Sequence, residues 1–205
     1  MNQFDYIFWD FDGTLFDSYP FLVNAFHKAL LEEGREESVE EIEKAMKISV
    51  SFAVEHFHLK QREIDLFFKN KSTIKKENMH PFEYIPEILN KIVGHNGKNY
   101  IYTHRSKSTI DYLQFYQLDE LFTDFIIKED QFKRKPDPEA LNYMIHKHQL
   151  HKEKCLMIGD REIDVLAAKN AGIYSCLYDP NKNITYTVAD FIISSFEELN
   201  TIIFK

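Results

Sequence analysis

Cysteine is scarce: Cys155 and Cys176 are the only two in 205 residues. They are too few for a disulfide framework and stand at no metal-ligand spacing, so both read as free, buried thiols of a reducing compartment. Glycine and proline number six each, which excludes collagen-like and low-complexity architectures. A basic excess is missing as well, since 25 Lys and Arg face 33 Asp and Glu for a net charge of −8. That balance opposes a general electrostatic grip on nucleic acid or anionic lipid, so any phosphate-bearing ligand has to be held by a local site. No apolar run approaches membrane-spanning length, and residues 1–10 lack a basic stretch followed by an apolar one, so the expected location is the cytoplasm. Internal repeats are also absent. What is present, 44% hydrophobic and 28% charged residues, is the composition of one packed domain, or a core with one insertion.

Short apolar runs rich in aromatic and β-branched residues predict strands at Phe4 to Asp10, Asn99 to His104, Phe125 to Lys128 and Cys155 to Asp160, with further strands at Ile173 to Tyr178 and Phe191 to Ile193. Their near-continuous apolarity suits strands buried on both faces. Helical patterns lie between them, at Pro86 to Val93, Ser108 to Tyr116, Pro138 to His148 and Glu162 to Ala171, the last stopped by Gly172; Phe196 to Phe204 reads as a closing helix. This alternation predicts an α/β fold, a doubly wound parallel sheet. Residues 17–82 break it. They show only helical patterns, at Pro20 to Glu33, Val39 to Lys47, Phe52 to Phe57 and Gln61 to Ile74. The expected organisation is therefore a core of residues 1–16 and 83–205 with an all-helical insertion at 17–82.

Ligands of open parallel sheets bind beyond the carboxyl ends of the strands. Those ends carry Asp10-Phe11-Asp12-Gly13-Thr14-Leu15, Thr103-His104-Arg105, Lys135-Pro136-Asp137-Pro138 and Gly159-Asp160-Arg161-Glu162-Ile163-Asp164. Asp10 and Asp12, two apart on an extended segment, share a side, so one carboxylate can attack while the other handles a proton. Acids that close need a cation. Asp160, with Asp164 one helical turn on, adds oxygens, and a hard ion such as Mg²⁺ fits a few carboxylates plus a substrate phosphate. Thr103 offers a hydroxyl at a helix start and Lys135 a positive charge before another, both suited to phosphoryl oxygens.

These four motifs, in this order, resemble the haloacid dehalogenase superfamily. The pattern D-x-D-G-T alone arises by chance about once in a thousand chains of this composition and length. The likeness covers nearly the whole chain, because the helical insertion resembles the C1 cap of phosphoglycolate phosphatase-like and β-phosphoglucomutase-like members. The resemblance implies a Rossmann-like core and a set of roles. Asp10 would form an aspartyl-phosphate and Asp12 would act as acid and then base. Thr103, the backbone N–H of His104, and Lys135 would hold the phosphoryl group. Asp10, the Asp12 carbonyl and Asp160 would bind Mg²⁺, with Asp164 supporting its waters. An acid at position 12 favours phosphate esters over haloacid or phosphonate substrates. The sequence departs from the usual pattern at Trp9, His104 and Arg105.

The expected activity is hydrolysis of a small phosphorylated metabolite by a monomer or homodimer, with no nucleic-acid or membrane partner. The alternatives are a phosphomutase using the same intermediate and a non-catalytic binding module on the same fold. Substrate selection is expected from the insertion, where Lys47-Ile48-Ser49-Val50-Ser51 reads as an interhelical turn whose Lys47 and Ser49 contact the substrate. His146, His148 and His151 fall on different helix faces and read as a solvated helix end rather than a metal site. Lys69, Lys71, Lys75 and Lys76 read as a solvated face.

Overall fold

The computed structural model describes residues 2–204. It divides into two compact units, one made of residues up to 16 and from 81 onward, the other of Asp17–His80. In chain order, β1 (Tyr6–Trp9) is followed by four helices, α1 (Tyr19–Glu32), α2 (Val39–Ile48), α3 (Val50–His56) and α4 (Gln61–Ser72). Then come α5 (Ile85–Gly94), β2 (Lys98–Tyr102), α6 (Ser108–Phe115), β3 (Phe122–Ile126), α7 (Glu139–Lys147) and β4 (Cys155–Gly159). The chain closes with α8 (Glu162–Ala171), β5 (Tyr174–Tyr178), β6 (Phe191–Ile193) and α9 (Leu199–Ile203). Among the described residues no helix is long and apolar enough to cross a membrane.

The larger unit is the expected doubly wound α/β arrangement: six parallel strands in the order β3-β2-β1-β4-β5-β6. Both faces of the central strands are buried. Phe8, Tyr100, Tyr102 and Met157 pack with Ala140, Leu141 and Met144 of α7 and with Ala167 and Ala168 of α8. Residues of the other parity, Ile7, Trp9, Ile101, Leu156 and Ile158, are also fully buried, so the strand runs are apolar throughout rather than alternating. Trp9 lies opposite both Ile101 and Ile158. This register brings the residues that follow β1, β2 and β4 out at one edge.

Two strand-unit expectations shift. The third strand was expected at Phe125 to Lys128 but runs Phe122–Ile126. Asp124 masks the pattern there, and its charge is met by Lys147 Nζ at 2.7 Å and by His148 Nε2 at 2.7 Å. His148 is accordingly half-buried against Tyr100, not part of a solvated end. The closing helix is a 3-10 turn, Phe196–Glu198, running into α9. Both cysteines are free and buried; burial, with the Glu153 charge next, pushes the Cys155 thiol up to about 12.

In the smaller unit, α1 packs on α4 and α2 around Leu22, Phe26, Leu30, Ile42, Met46 and Phe67. Phe26 meets Phe57 and Phe67 edge to face at 5.7 and 5.5 Å. The segment 47–51, expected as an interhelical turn, is not one: Lys47 and Ile48 end α2, Val50 and Ser51 begin α3, and Ser49 alone separates them. The cause is local. Ser49 caps α3, its Oγ accepting the Phe52 N–H at 2.9 Å, and a single extended residue with a capping hydroxyl suffices to restart a helix.

Candidate active site

In the order 3-2-1-4-5-6 the strand order reverses between the parallel neighbours β1 and β4, and the crevice beyond their carboxyl ends is where such sheets bind ligands. Asp10 stands there. Its N–H donates to Ile158 O at 3.0 Å, which extends the β1–β4 ladder by one residue. A tight turn follows, with Phe11 O accepting from the N–H groups of Thr14, Leu15 and Phe16, and Gly13 at φ 75°, where a side chain would be strained. Phe11 and Phe16 stack at 4.6 Å and hold the turn closed.

Lys135 arrives from the loop before α7, with its side chain wholly buried, and its Nζ lies 3.0 Å from Asp10 Oδ1 and 2.6 Å from Asp164 Oδ1. Asp164 has two tasks. It is the third residue of α8, where its Oδ2 accepts the Arg161 N–H at 3.2 Å as a helix-start acid, and the same carboxylate fixes Lys135. A Cβ at position 159 would sit 2.3 Å from Asp164 Cγ, so only glycine permits this packing. Oxygens of Asp10, Asp160 and Asp164 lie within 4.8 Å of one another. Burial works against charge on Asp10, but Lys135 and Arg161 outweigh it and hold the carboxyl below the ordinary range. Asp164 is raised instead, by burial and by the neighbouring Asp10, despite Lys135.

Thr103 is buried just past β2, and its Oγ1 accepts the Arg105 N–H at 3.1 Å. The side chain of His104 points to the backbone of the loop before α7: its Nε2 accepts the Lys135 N–H at 3.0 Å. Burial, then the charges of Lys135 and Arg134, pushes this imidazole down to about 3, which suits an acceptor nitrogen. Asp12, half-buried, pairs with Arg105 Nη1 at 2.6 Å.

The family model for haloacid dehalogenase-like hydrolases matches residues 7–178. A phosphoglycolate phosphatase of Vibrio parahaemolyticus is 30% identical over 216 aligned positions, covering 94% of this chain and 93% of that protein. The chain belongs to the haloacid dehalogenase-like hydrolase family. Pyrophosphatase PpaX of Halalkalibacterium halodurans is 24% identical over 82% of this chain and 80% of its own length. In fold, a predicted phosphoglycolate phosphatase from Haemophilus somnus superposes with a TM-score of 0.81 at 22% identity, covering 98% and 99% of the two chains.

As a member of this hydrolase family the chain is an enzyme, and its acidic cluster can be tested against the hard divalent ion such enzymes generally use. The donor set fits. It is made of carboxylate oxygens alone, which match Mg²⁺ and offer nothing to softer metals. The Arg161 guanidinium lies beside the same oxygens, with Nη2 3.3 Å from Asp10 Oδ2 and Nε 3.8 Å from Asp160 Oδ1, so positive charge is accommodated at this spot.

Asp10, Asp12, Thr103, His104, Lys135, Asp160 and Asp164 therefore all belong to one edge of the sheet unit. Lys47 and Ser49 belong to the helical unit, where Lys47 is exposed, pairs with Glu43 at 2.9 Å and lies 5.7 Å from the Tyr19 ring. Sequence reasoning gave no role to the side chains of His104, Arg105 and Arg161. The available signal was a charged or ring residue directly after two strand-end motifs; what each would grip depends on the fold.

Proposed function

We propose that this chain is a Mg²⁺-dependent phosphatase that hydrolyses the phosphomonoester of a small metabolite through an aspartyl-phosphate on Asp10. The observation that carries the reading is the buried convergence of Asp10, Lys135, Asp160 and Asp164 where β1 and β4 end. Asp10, kept ionised by Lys135 and Arg161, attacks phosphorus while the ester P–O bond breaks, and Asp12 gives the departing oxygen a proton. Water then attacks the aspartyl-phosphate, Asp12 takes its proton, and phosphate leaves with Asp10 restored. The Thr103 hydroxyl, the His104 N–H and Lys135 hold the phosphoryl oxygens. Carboxylates of Asp10 and Asp160 and the Asp12 carbonyl would hold Mg²⁺, with Asp164 keeping Lys135 in place and supporting the ion's waters. When bound, the ion offsets the charge that builds on the phosphoryl oxygens.

The helical unit 17–80 takes the part of a cap that reads the rest of the substrate, with Lys47 and Ser49 as its polar contacts. The Vibrio relative makes phosphoglycolate the first substrate to try, and the PpaX relative adds pyrophosphate. The test is a panel of phosphometabolites with and without Mg²⁺. Release of inorganic phosphate that needs both the ion and Asp10 supports the reading. Return of the phosphoryl group to a sugar points to a mutase, and silence across the panel to a binding module.

A further inference from the structure

Arg105 is a charged residue only 7% exposed, and phosphoryl transfer through Asp10 and Asp12 gives it no direct task. Burying a guanidinium is costly unless its charge is paired, and an apolar residue of similar size would fill the same space with no such cost. The charge is nonetheless held tightly. Its carbon lies 5.0 Å from the ring centroids of both Phe11 and Tyr112, so the guanidinium is stacked against two aromatic faces. Nε donates to Ser108 Oγ at 3.1 Å, and that hydroxyl lies 3.1 Å from Ser106 Oγ. The backbone is pinned as well, with Arg105 O accepting the Lys128 N–H at 2.9 Å. From this fixed base Nη1 reaches Asp12 Oδ1 at 2.6 Å.

Asp12 is bridged through its backbone to Phe16, and its side chain has Arg105 as its ion-pair partner. It sits in the turn after β1, its side chain 24% exposed against 4% for Arg105. A group that passes a proton to a leaving oxygen has to be aimed, and a misplacement of ~1 Å can cost ~10²-fold in rate. With Oδ1 taken by Arg105, the other oxygen, Oδ2, is the one left to carry the proton. The backbone of the same residue acts on a second group: the Arg105 N–H occupies a lone pair of Thr103 Oγ1, which turns the hydroxyl proton away from it and toward an acceptor such as a phosphoryl oxygen.

We propose that Arg105 is a positioning residue, a buried guanidinium clamp that fixes Asp12 so that Oδ2 handles the proton and that sets the direction of the Thr103 hydroxyl through its backbone. The proposal rests on the phosphatase reading above. It assigns Arg105 no contact with substrate, which separates it from Lys135.

The experiment measures kcat/KM, which reports phosphoryl transfer to Asp10, with Mg²⁺ for alkyl phosphates and for an activated aryl phosphate, in wild type, Arg105→Met, Arg105→Lys, Asp12→Asn and the Arg105→Met/Asp12→Asn pair. Alkyl esters, whose leaving oxygen needs a proton, should lose ~10- to 100-fold in Arg105→Met, and the aryl ester less than ~5-fold. Arg105→Lys should recover part of the alkyl loss, and the double variant should be no slower than Asp12→Asn alone. Competitive inhibition by inorganic phosphate should stay within ~2-fold of wild type in Arg105→Met. If Arg105→Met melts below the assay temperature, Arg105→Lys carries the test through the same leaving-group bias. Equal losses on both ester types, a parallel weakening of phosphate binding, or additivity with Asp12→Asn overturns the role while an active wild type keeps the phosphatase reading. A wild type inactive on every phosphate ester overturns that reading and the role of Arg105 with it.

Discussion

Asp10 of the sheet unit and Glu63 of the helical unit are both buried carboxylates, 1% and 2% exposed, and both face a basic side chain. Around Glu63 the partners close. Oε2 accepts the Lys60 N–H at 2.6 Å at the start of α4, and Oε1 accepts Arg35 Nη1 at 2.9 Å. Arg35 Nη2 donates in turn to Phe57 O and Glu37 Oε1. Around Asp10 the partners crowd. Lys135 is shared with Asp164, and Asp160 stands within the same small space. A closed pair ties α4 to neighbouring segments and has nothing to offer a ligand. Carboxylates gathered at strand ends still attract a metal ion, and with Lys135 among them that crowding, not burial alone, sets Asp10 apart from Glu63.

The largest effect that tests this contrast is at Asp10. Asp10→Asn should lose at least ~10³-fold in Mg²⁺-dependent phosphate release because an amide is neither nucleophile nor anionic ligand. Steady-state assays with thermal melts of the isolated variant check it; a well-folded variant with most of its activity would erase the distinction between the two carboxylates. Next comes the metal. Asp160→Asn should weaken Mg²⁺ binding, read by calorimetry, by ~10- to 100-fold, and chelation should abolish wild-type turnover.

Glu63→Gln should leave turnover of a small aryl phosphate unchanged and lower unfolding free energy by ~1–3 kcal/mol in urea, modest because Arg35 is a third exposed. Burial raises Glu63, but the Lys60 N–H and Arg35 outweigh it and hold it below its ordinary 4.5. Its contribution is thus complete above pH ~4.5 and fades as the pH falls through the lowered value, and the variant should lack that acid limb. His104 gives a second pH signature within the site. Its folded value of about 3 lies below the ordinary 6.5, so the unfolded chain binds the extra proton between them. The stability it contributes is present above pH ~6.5 and lost toward pH 3, and His104→Gln should flatten that slope in pH-dependent melts.

The smallest effect separates two lysines. Lys135 is buried between carboxylates, whereas Lys47 is exposed beside Glu43. Lys47→Ala should raise KM for the physiological substrate ~3- to 10-fold and leave aryl phosphates within ~2-fold. An unchanged KM would confine Lys47 to its surface pair.

The strand ends were readable because a strand stopping at Asp10 or Gly159 is a local pattern of four or five apolar residues followed by a turn. The carboxylates and Lys135 stood out for the same reason. The 47–51 segment reads as a turn because Ser49 looks alike in a long turn and as the one-residue cap between α2 and α3; its Oγ accepting the Phe52 N–H makes it the cap. The start of β3 was harder to place, because Asp124 interrupts its apolar run and is accommodated only by Lys147 of α7 and by the following His148.

The sequence by itself determined the alternation of strands and helices, the helical interruption after β1 and the acids, hydroxyl and lysine of the sheet edge, since each depends on neighbours a few residues away. The tertiary structure alone decided which charges meet. Asp10 and Lys135 are separated by 125 residues and Asp12 and Arg105 by 93, and neither pairing follows from any local periodicity. Parallel pairing of β1 with both β2 and β4 fixes the register that brings those ends together. Only then is Arg105 aimed at Asp12, His104 at the Lys135 backbone and Asp164 at Lys135, because a long polar side chain takes its partner from whatever the fold places within its reach.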